Sequence, residues 1–223
     1  MERKASPMNS KYLDMTPPVA AALKAGTPVV VIETGFFMQL PYPRNLTALQ
    51  DCEEAFWRRD CVPCCVAVID GRIRAGLTKE DMEALCQSGA ALSREELPGA
   101  VGSRQTGGAT ASAALCIAKM IGAVPVMAPG LSDTPADLNA LVATGRMAFC
   151  GRVLRDARTL YLSHGIVLVE PEVEAEALGD TYAVMQDLEF PESVVALCGP
   201  TLGDLAERAS SAAKALKRRN NFA

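Results

Sequence analysis

Residues 62–81 read VPCCVAVIDGRIRAGLTKED, and this stretch decides the fold class. Val62–Ile69 is a short apolar run rich in β-branched residues and bounded by turn signals, which reads as a strand rather than a helix. Asp70-Gly71 supplies the two left-handed positions of a type I′ turn, so Arg72-Ile73-Arg74 returns as its hairpin partner. Thr78-Lys79-Glu80-Asp81 then has the form of a capping box and opens a helix. Strand, tight turn, strand and helix start follow one another without a break.

Working outward, the same alternation continues. Upstream, Thr16 caps a short helix over Pro17-Pro18 and VAAALKA that Gly26 stops. Val29–Ile32 is a short buried strand, and a turn-rich segment from Gly35 to Arg44 leads to a helix over about Asn45–Arg59. Downstream, Ser93-Arg94-Glu95-Glu96 is a second capping-box pattern. Gly107-Gly108 opens a small-residue helix, Ala109–Ile121, ended by Gly122. Val124–Ala128 is a strand, and Thr134-Pro135 begins another helix. Met147–Cys150, a helix to His164, and strand Ile166–Val169 extend the pattern. Glu170–Asp180 reads as an acidic connector or short helix, and Thr201–Arg219 as a final helix. Alternating strands and helices predict a layered α/β domain with helices on both faces of a sheet. Residues 1–12 read as a loose tail, and residues 1–223 as one domain.

Composition narrows the function classes. The chain has 223 residues, 49% hydrophobic and 22% charged, with net charge −4, which suits a packed core and excludes a disordered chain. The acidic balance argues against general nucleic-acid binding. No apolar run approaches the roughly 18–20 residues that span a bilayer, and no secretory signal is read at the start. Eight cysteines without such a signal predict reduced thiols in the cytoplasm or another reducing compartment. Cys61-Val-Pro-Cys64 is formally C-x-x-C, open to a zinc or redox reading beside the plainer one of core thiols.

Three places have the residue types for chemistry. Glu33 follows a buried strand, where ligands gather in open α/β folds. A carboxyl half-buried there has its pKa raised and serves as a general acid, unless it only caps a turn. Thr106-Gly-Gly-Ala-Thr110 precedes a helix, so its N–H groups and the helix dipole suit phosphate, as do many ordinary α/β loops. Asp133 and Asp137 stand four residues apart near a strand end, a spacing that suits Mg²⁺ or Mn²⁺ or a helix cap with a solvated neighbour. His164, the only histidine, sits where it meets a helix dipole, a structural place.

Several of these stretches together resemble the pseudouridine-5′-phosphate glycosidase family, also called indigoidine synthase A-like. The resemblance runs through YLDMTPPVAAALKAGTPVVVIET, PYPRNL, CVPCCVAVIDGRIRAGLTKEDMEAL, LSREELPGAV, TGGATASAAL and DTPADLNAL, about Tyr12 to Gly165. It implies a mixed central sheet sandwiched between helices in three layers, and a homotrimer. It also implies Mn²⁺ and cleavage of the C–C bond of pseudouridine 5′-phosphate to uracil and ribose 5-phosphate. A glutamic acid opens the ribose, and a lysine imine at C1′ supplies the electron sink. By the same resemblance Glu33 is the proton donor and Asp133 the metal-associated residue. Gly108, Thr110, Ala111 and Asp137 border the substrate.

The sequence also departs from the pattern. Phe36–Leu40 lacks the family's histidine, and the loop between Gly130 and Asp133 is trimmed. Ala91 stands at the phosphate-side lysine, and Gly151 or Arg152 at the imine lysine. Arginine stays protonated and cannot serve as that amine. Lys119 lies roughly 13 Å along its helix from Thr110, and no other lysine is an evident replacement. The chain therefore reads as a shortened member with a divergent part over 170–223. It is either a glycosidase, or an inactive homologue that binds a sugar phosphate or acts as a structural subunit of an assembly.

Overall fold

The computed structural model describes residues 11–123 and 125–129, together with four later elements. In chain order the elements are β1 (Leu13–Met15), α1 (Pro17–Ala25), β2 (Val29–Glu33), α2 (Arg44–Trp57), β3 (Val62–Ile69) and β4 (Arg72–Ala75). Then come α3 (Lys79–Ser88), β5 (Ala90–Leu92), α4 (Leu97–Gly102), β6 (Gly107–Ala109), α5 (Ala111–Ile121) and β7 (Pro125–Met127). The later ones are β8 (Ala148–Cys150), β9 (Ile166–Val169), β10 (Val194–Leu197) and α6 (Leu202–Asn220).

Among the described residues the strands form one mixed sheet, ordered β1-β4-β3-β2-β7-β10-β9-β8, with β5 and β6 branching from β3. β2 is parallel to both β3 and β7, whereas β3 is antiparallel to β4 and β6. The period of two along each strand builds two cores. Val29 and Val31 of β2, with Cys64, Val66 and Val68 of β3, face α1, α4 and α5. Val30 and Ile32, with Cys65, Ala67 and Ile69, face α2, α3 and α6. Every residue of β2 and β3 is buried, as strands covered by helices on both faces must be. This is the three-layer sandwich expected from the sequence.

Local chemistry behaves as read at several points. Asp70 and Gly71 both have positive φ, 50° and 73°, the pair a type I′ turn needs. The Thr78–Asp81 capping box is closed in both directions, at 3.1 Å each way. Gly26 ends α1 in the left-handed conformation. Three expectations are corrected. Gly107-Gly108 does not open a helix, because the pair is drawn into β6 against Ala67 and Val68. Ser93 and Glu96 do bond to each other, but they close a turn, and α4 starts only at Leu97 behind them. No strand was expected in the divergent part over 170–223, yet Val194–Leu197 forms β10, which inserts between β7 and β9. The helices expected from Thr134 and up to His164, and the acidic run 170–180, lie outside the described residues.

One carboxyl is set into the α2 layer. Burial pushes the Glu53 carboxyl up to about 7, partly offset by a hydrogen bond from the Cys65 thiol. An unfolded chain releases that proton near its ordinary value, about 4.3. The folded state therefore binds more protons between those values, and stability falls as pH rises from about 4.3 to 7. Glu53→Gln removes this penalty. It should be near neutral at pH 4.5 and stabilise by about 1–3 kcal/mol at pH 8, read from urea midpoints at the two pH values.

Candidate functional site

The chain leaves β2 through α2 on one face of the sheet to reach β3, and returns through α5 on the other face to reach β7. The carboxyl end of β2 thus sits where connections diverge, the position at which open α/β sheets form a crevice. Glu33 is the last residue of β2, 4% exposed and in register with Val66. The sequence expected a half-buried carboxyl here, and the fold covers it more fully.

The next two residues fix this end of the strand. Thr34 is fully buried. Its Oγ1 donates to the Val66 carbonyl at 2.6 Å and accepts from the Ala109 N–H at 3.0 Å, tying β2 to β3 and β6 at once. The Gly35 N–H donates to the Ala109 carbonyl at 2.8 Å. A Cβ at Gly35 would stand 2.9 Å from the Thr110 nitrogen, and one at Gly108 3.0 Å from both the Gly35 nitrogen and Thr34 Oγ1. Two bare backbones touch here, so neither position has room for a side chain. Thr34 was not singled out from the sequence. Its only signal was a hydroxyl directly after an apolar strand.

This contact brings the sequence-predicted residues together. Gly108 lies in β6 beside the Thr34–Gly35 corner, Thr110 is the N-cap of α5, and Ala111 is its buried first residue. The Thr110 hydroxyl does not cap the helix. It lies 3.3 Å from Ser112 Oγ, which accepts the Arg94 N–H at 3.2 Å. The first turn of α5 carries no acidic residue. Its N–H groups have no partner within the helix, and the dipole is positive there. The anion-receptive element is therefore the start of α5 itself, not the glycine pair. Asp133, Asp137, Gly151, Arg152 and His164 lie outside the described residues.

Two departures acquire positions. Ala91 pairs with Gly108 across the β5–β6 ladder and is exposed, so a methyl group borders the corner where the resemblance places a lysine. Lys119 is in the last turn of α5, at the opposite end of that helix from Thr110. The cysteines resolve toward packing. Cys61 just precedes β3 and Cys64 lies within it, and the two fall in opposite cores. Burial pushes their thiols up to about 11 and about 12, which disfavours the thiolate that metal binding requires. Among the described residues no group of three or more His, Cys, Asp and Glu is arranged to hold a metal ion.

Residues 18–139 match the model of the family described as indigoidine synthase A like protein. The chain is 40% identical over 152 residues to a pseudouridine-5′-phosphate glycosidase of Rhodospirillum centenum, covering 62% of this chain and 47% of that protein. It is 30% identical over 187 residues to pseudouridine-5′-phosphate glycosidase 2 of Photorhabdus laumondii, covering 75% and 60%. It thus spans about half the length of the curated relatives it matches. Among solved structures, a prealnumycin C-glycosynthase in complex with ribulose 5-phosphate superposes with a TM-score of 0.72 at 13% identity, over 96% of this chain and all of that one. An indigoidine synthase A-like protein of Thermotoga maritima superposes at 0.65 and 16% identity, over 98% and 91%. These two likenesses establish the mixed-sheet α/β fold.

Thr34→Val keeps the shape of the corner but strands the Val66 carbonyl and the Ala109 N–H without a partner. It should cost about 2–4 kcal/mol in a urea titration, while Thr34→Ser should cost less than half of that.

Proposed function

The chain belongs to the indigoidine synthase A-like family, and from that membership we propose that its site takes a nucleobase joined through carbon to ribose 5-phosphate. Pseudouridine 5′-phosphate is the ligand of that class to which the relatives' names point. The observation that supports this reading is the buried Glu33 at the carboxyl end of β2, one residue from the corner that seats the N-terminus of α5. A proton donor and an anion-receptive helix start stand on adjoining elements. A sugar phosphate needs both.

In this reading the phosphate, or another anionic end of the ligand, meets the first turn of α5. Glu33 donates a proton to the ribose ring oxygen, which opens the sugar. Breaking the C–C bond then requires an electron sink at C1′, the role of the family's lysine imine. Mn²⁺ at Asp133 and a substrate contact from Asp137 belong to the same proposal. No step is routed through the metal, because its ligand lies outside the described residues. A homotrimer is likewise part of the proposal.

A second reading is favoured by Ala91 beside Gly108 and by Lys119 at the wrong end of α5. Here the site holds the sugar phosphate without cleaving it, alone or within an assembly. One set of measurements separates the two. Purified protein is incubated with pseudouridine 5′-phosphate and Mn²⁺, uracil release is followed, and borohydride is added to trap an imine. The glycosidase reading expects uracil release that Glu33→Gln lowers by at least about 100-fold, with a lysine adduct. A thermal shift with ribose 5-phosphate but no uracil supports the binding reading. Neither release nor shift overturns both.

A further inference from the structure

Along β3, the pairing with β4 covers only Val66–Ile69. Among the described residues the flank of β3 before that point has no strand beside it, and Pro63, which lacks an N–H, sits there without breaking a ladder on that side. The gap is a cavity of about 260 Å³, lined by Pro17 and Pro18 of α1, Glu53 and Trp57 of α2, Pro63, and the Gly76–Thr78 turn. It lies across β3 from β2 and the Glu33 corner, and it shares no lining residue with that site.

The lining has one sign of charge and an aromatic wall. Glu53 and Trp57 are four residues apart on α2 and so share a helix face. Trp57 is 48% exposed and ends α2, whose dipole is negative there. Two helix N-termini also reach the cavity, but each is short of free donors for an anion. Pro17 and Pro18 have no N–H, and the start of α3 is closed by the Thr78–Asp81 box with Glu80 beside it. The arginines that follow Trp57 are engaged elsewhere, Arg58 with Glu54 at 2.5 Å and Arg59 with Glu207 at 3.7 Å. The titratable groups acting on Glu53 and its neighbours here are the thiols of Cys52, Cys64 and Cys65. None of these is a cation.

We propose that this cavity is a binding site for a small organic cation, an alkylammonium group with an apolar body. The ammonium would sit between the Glu53 carboxylate and the Trp57 ring, with its carbon body against the prolines. Because burial holds the Glu53 proton up to about pH 7, binding releases that proton and tightens as pH rises. This site is independent of the sugar-phosphate reading.

Trp57 is the only tryptophan of the chain, so its fluorescence reports directly. The full-length protein in phosphate buffer is titrated with choline and, in parallel, with its uncharged carbon isostere 3,3-dimethylbutan-1-ol. The expected result is a saturable change with choline only, about tenfold tighter at pH 8 than at pH 6. Glu53→Gln should weaken it by at least about tenfold, with circular dichroism confirming the fold. Calorimetry on Trp57→Leu should show a similar loss. An equal response to both probes overturns the proposal whether or not the variants fold. So does no saturable response up to about 50 mM choline, or undiminished binding by Glu53→Gln.

Discussion

The corner formed by Thr34, Gly35, Gly108 and Ala109 is the constraint on which the arrangement rests. A single hydroxyl spans two ladders there, and two glycines let backbones meet at distances no side chain tolerates. That contact does more than close the sheet. It ends β2 at Glu33, draws β6 onto β3, and releases the chain at Thr110 into α5. Glu33 and the helix N-terminus keep a fixed relation because the residues between them have no slack. A buried hydroxyl with both partners satisfied is also a specific device, since any slip of register would strand a donor and an acceptor.

The two layers of helices play different parts. On one face the small residues of α5, with Ala111, Ala113, Ala114 and Ala118 buried, let that helix lie close to the sheet. On the other, α2, α3 and α6 enclose a core in which the cysteines pack as small apolar groups. Burial above all pushes the Cys52 thiol there up to about 12, and the neighbouring Glu53 adds to it. A cysteine-rich segment that looks reactive on paper is chemically quiet once enclosed. Glu53 is the exception in that layer, a carboxyl that burial leaves poised near neutrality beside an open cavity.

Much of the fold was legible where local chemistry and tertiary context agree. β2 and β3 follow from apolar runs, the hairpin from Asp70-Gly71, and α1 and α3 from their caps. The elements that were not legible are short and owe their existence to partners distant in sequence. β5 and β6 are three residues each, and nothing in Ala90-Ala91-Leu92 or Gly107-Gly108-Ala109 marks a strand. They pair because β3 offers an edge. β10 was hidden in the same way, its Val194–Leu197 placed centrally only by β7 and β9. The candidate site divides likewise. Glu33 and Thr110 were visible from position alone, whereas Thr34 and the cavity beside Pro63 were not.

By itself the sequence determined the α/β class, the strand–hairpin–helix order around Val62–Asp81 and the family resemblance. The first two depend on periodicity, capping and turn chemistry, all set within a few residues, and the resemblance on motifs in a fixed order from Tyr12 to Gly165. The tertiary structure decided what lies beside what. It turned a glycine pair from a loop into a strand and set Ala91 next to Gly108. It also parted Cys61 from Cys64 across the sheet and set Glu53 and Trp57 along a gap where β4 stops short. Those outcomes rest on contacts between segments tens of residues apart, whose energies no local pattern encodes.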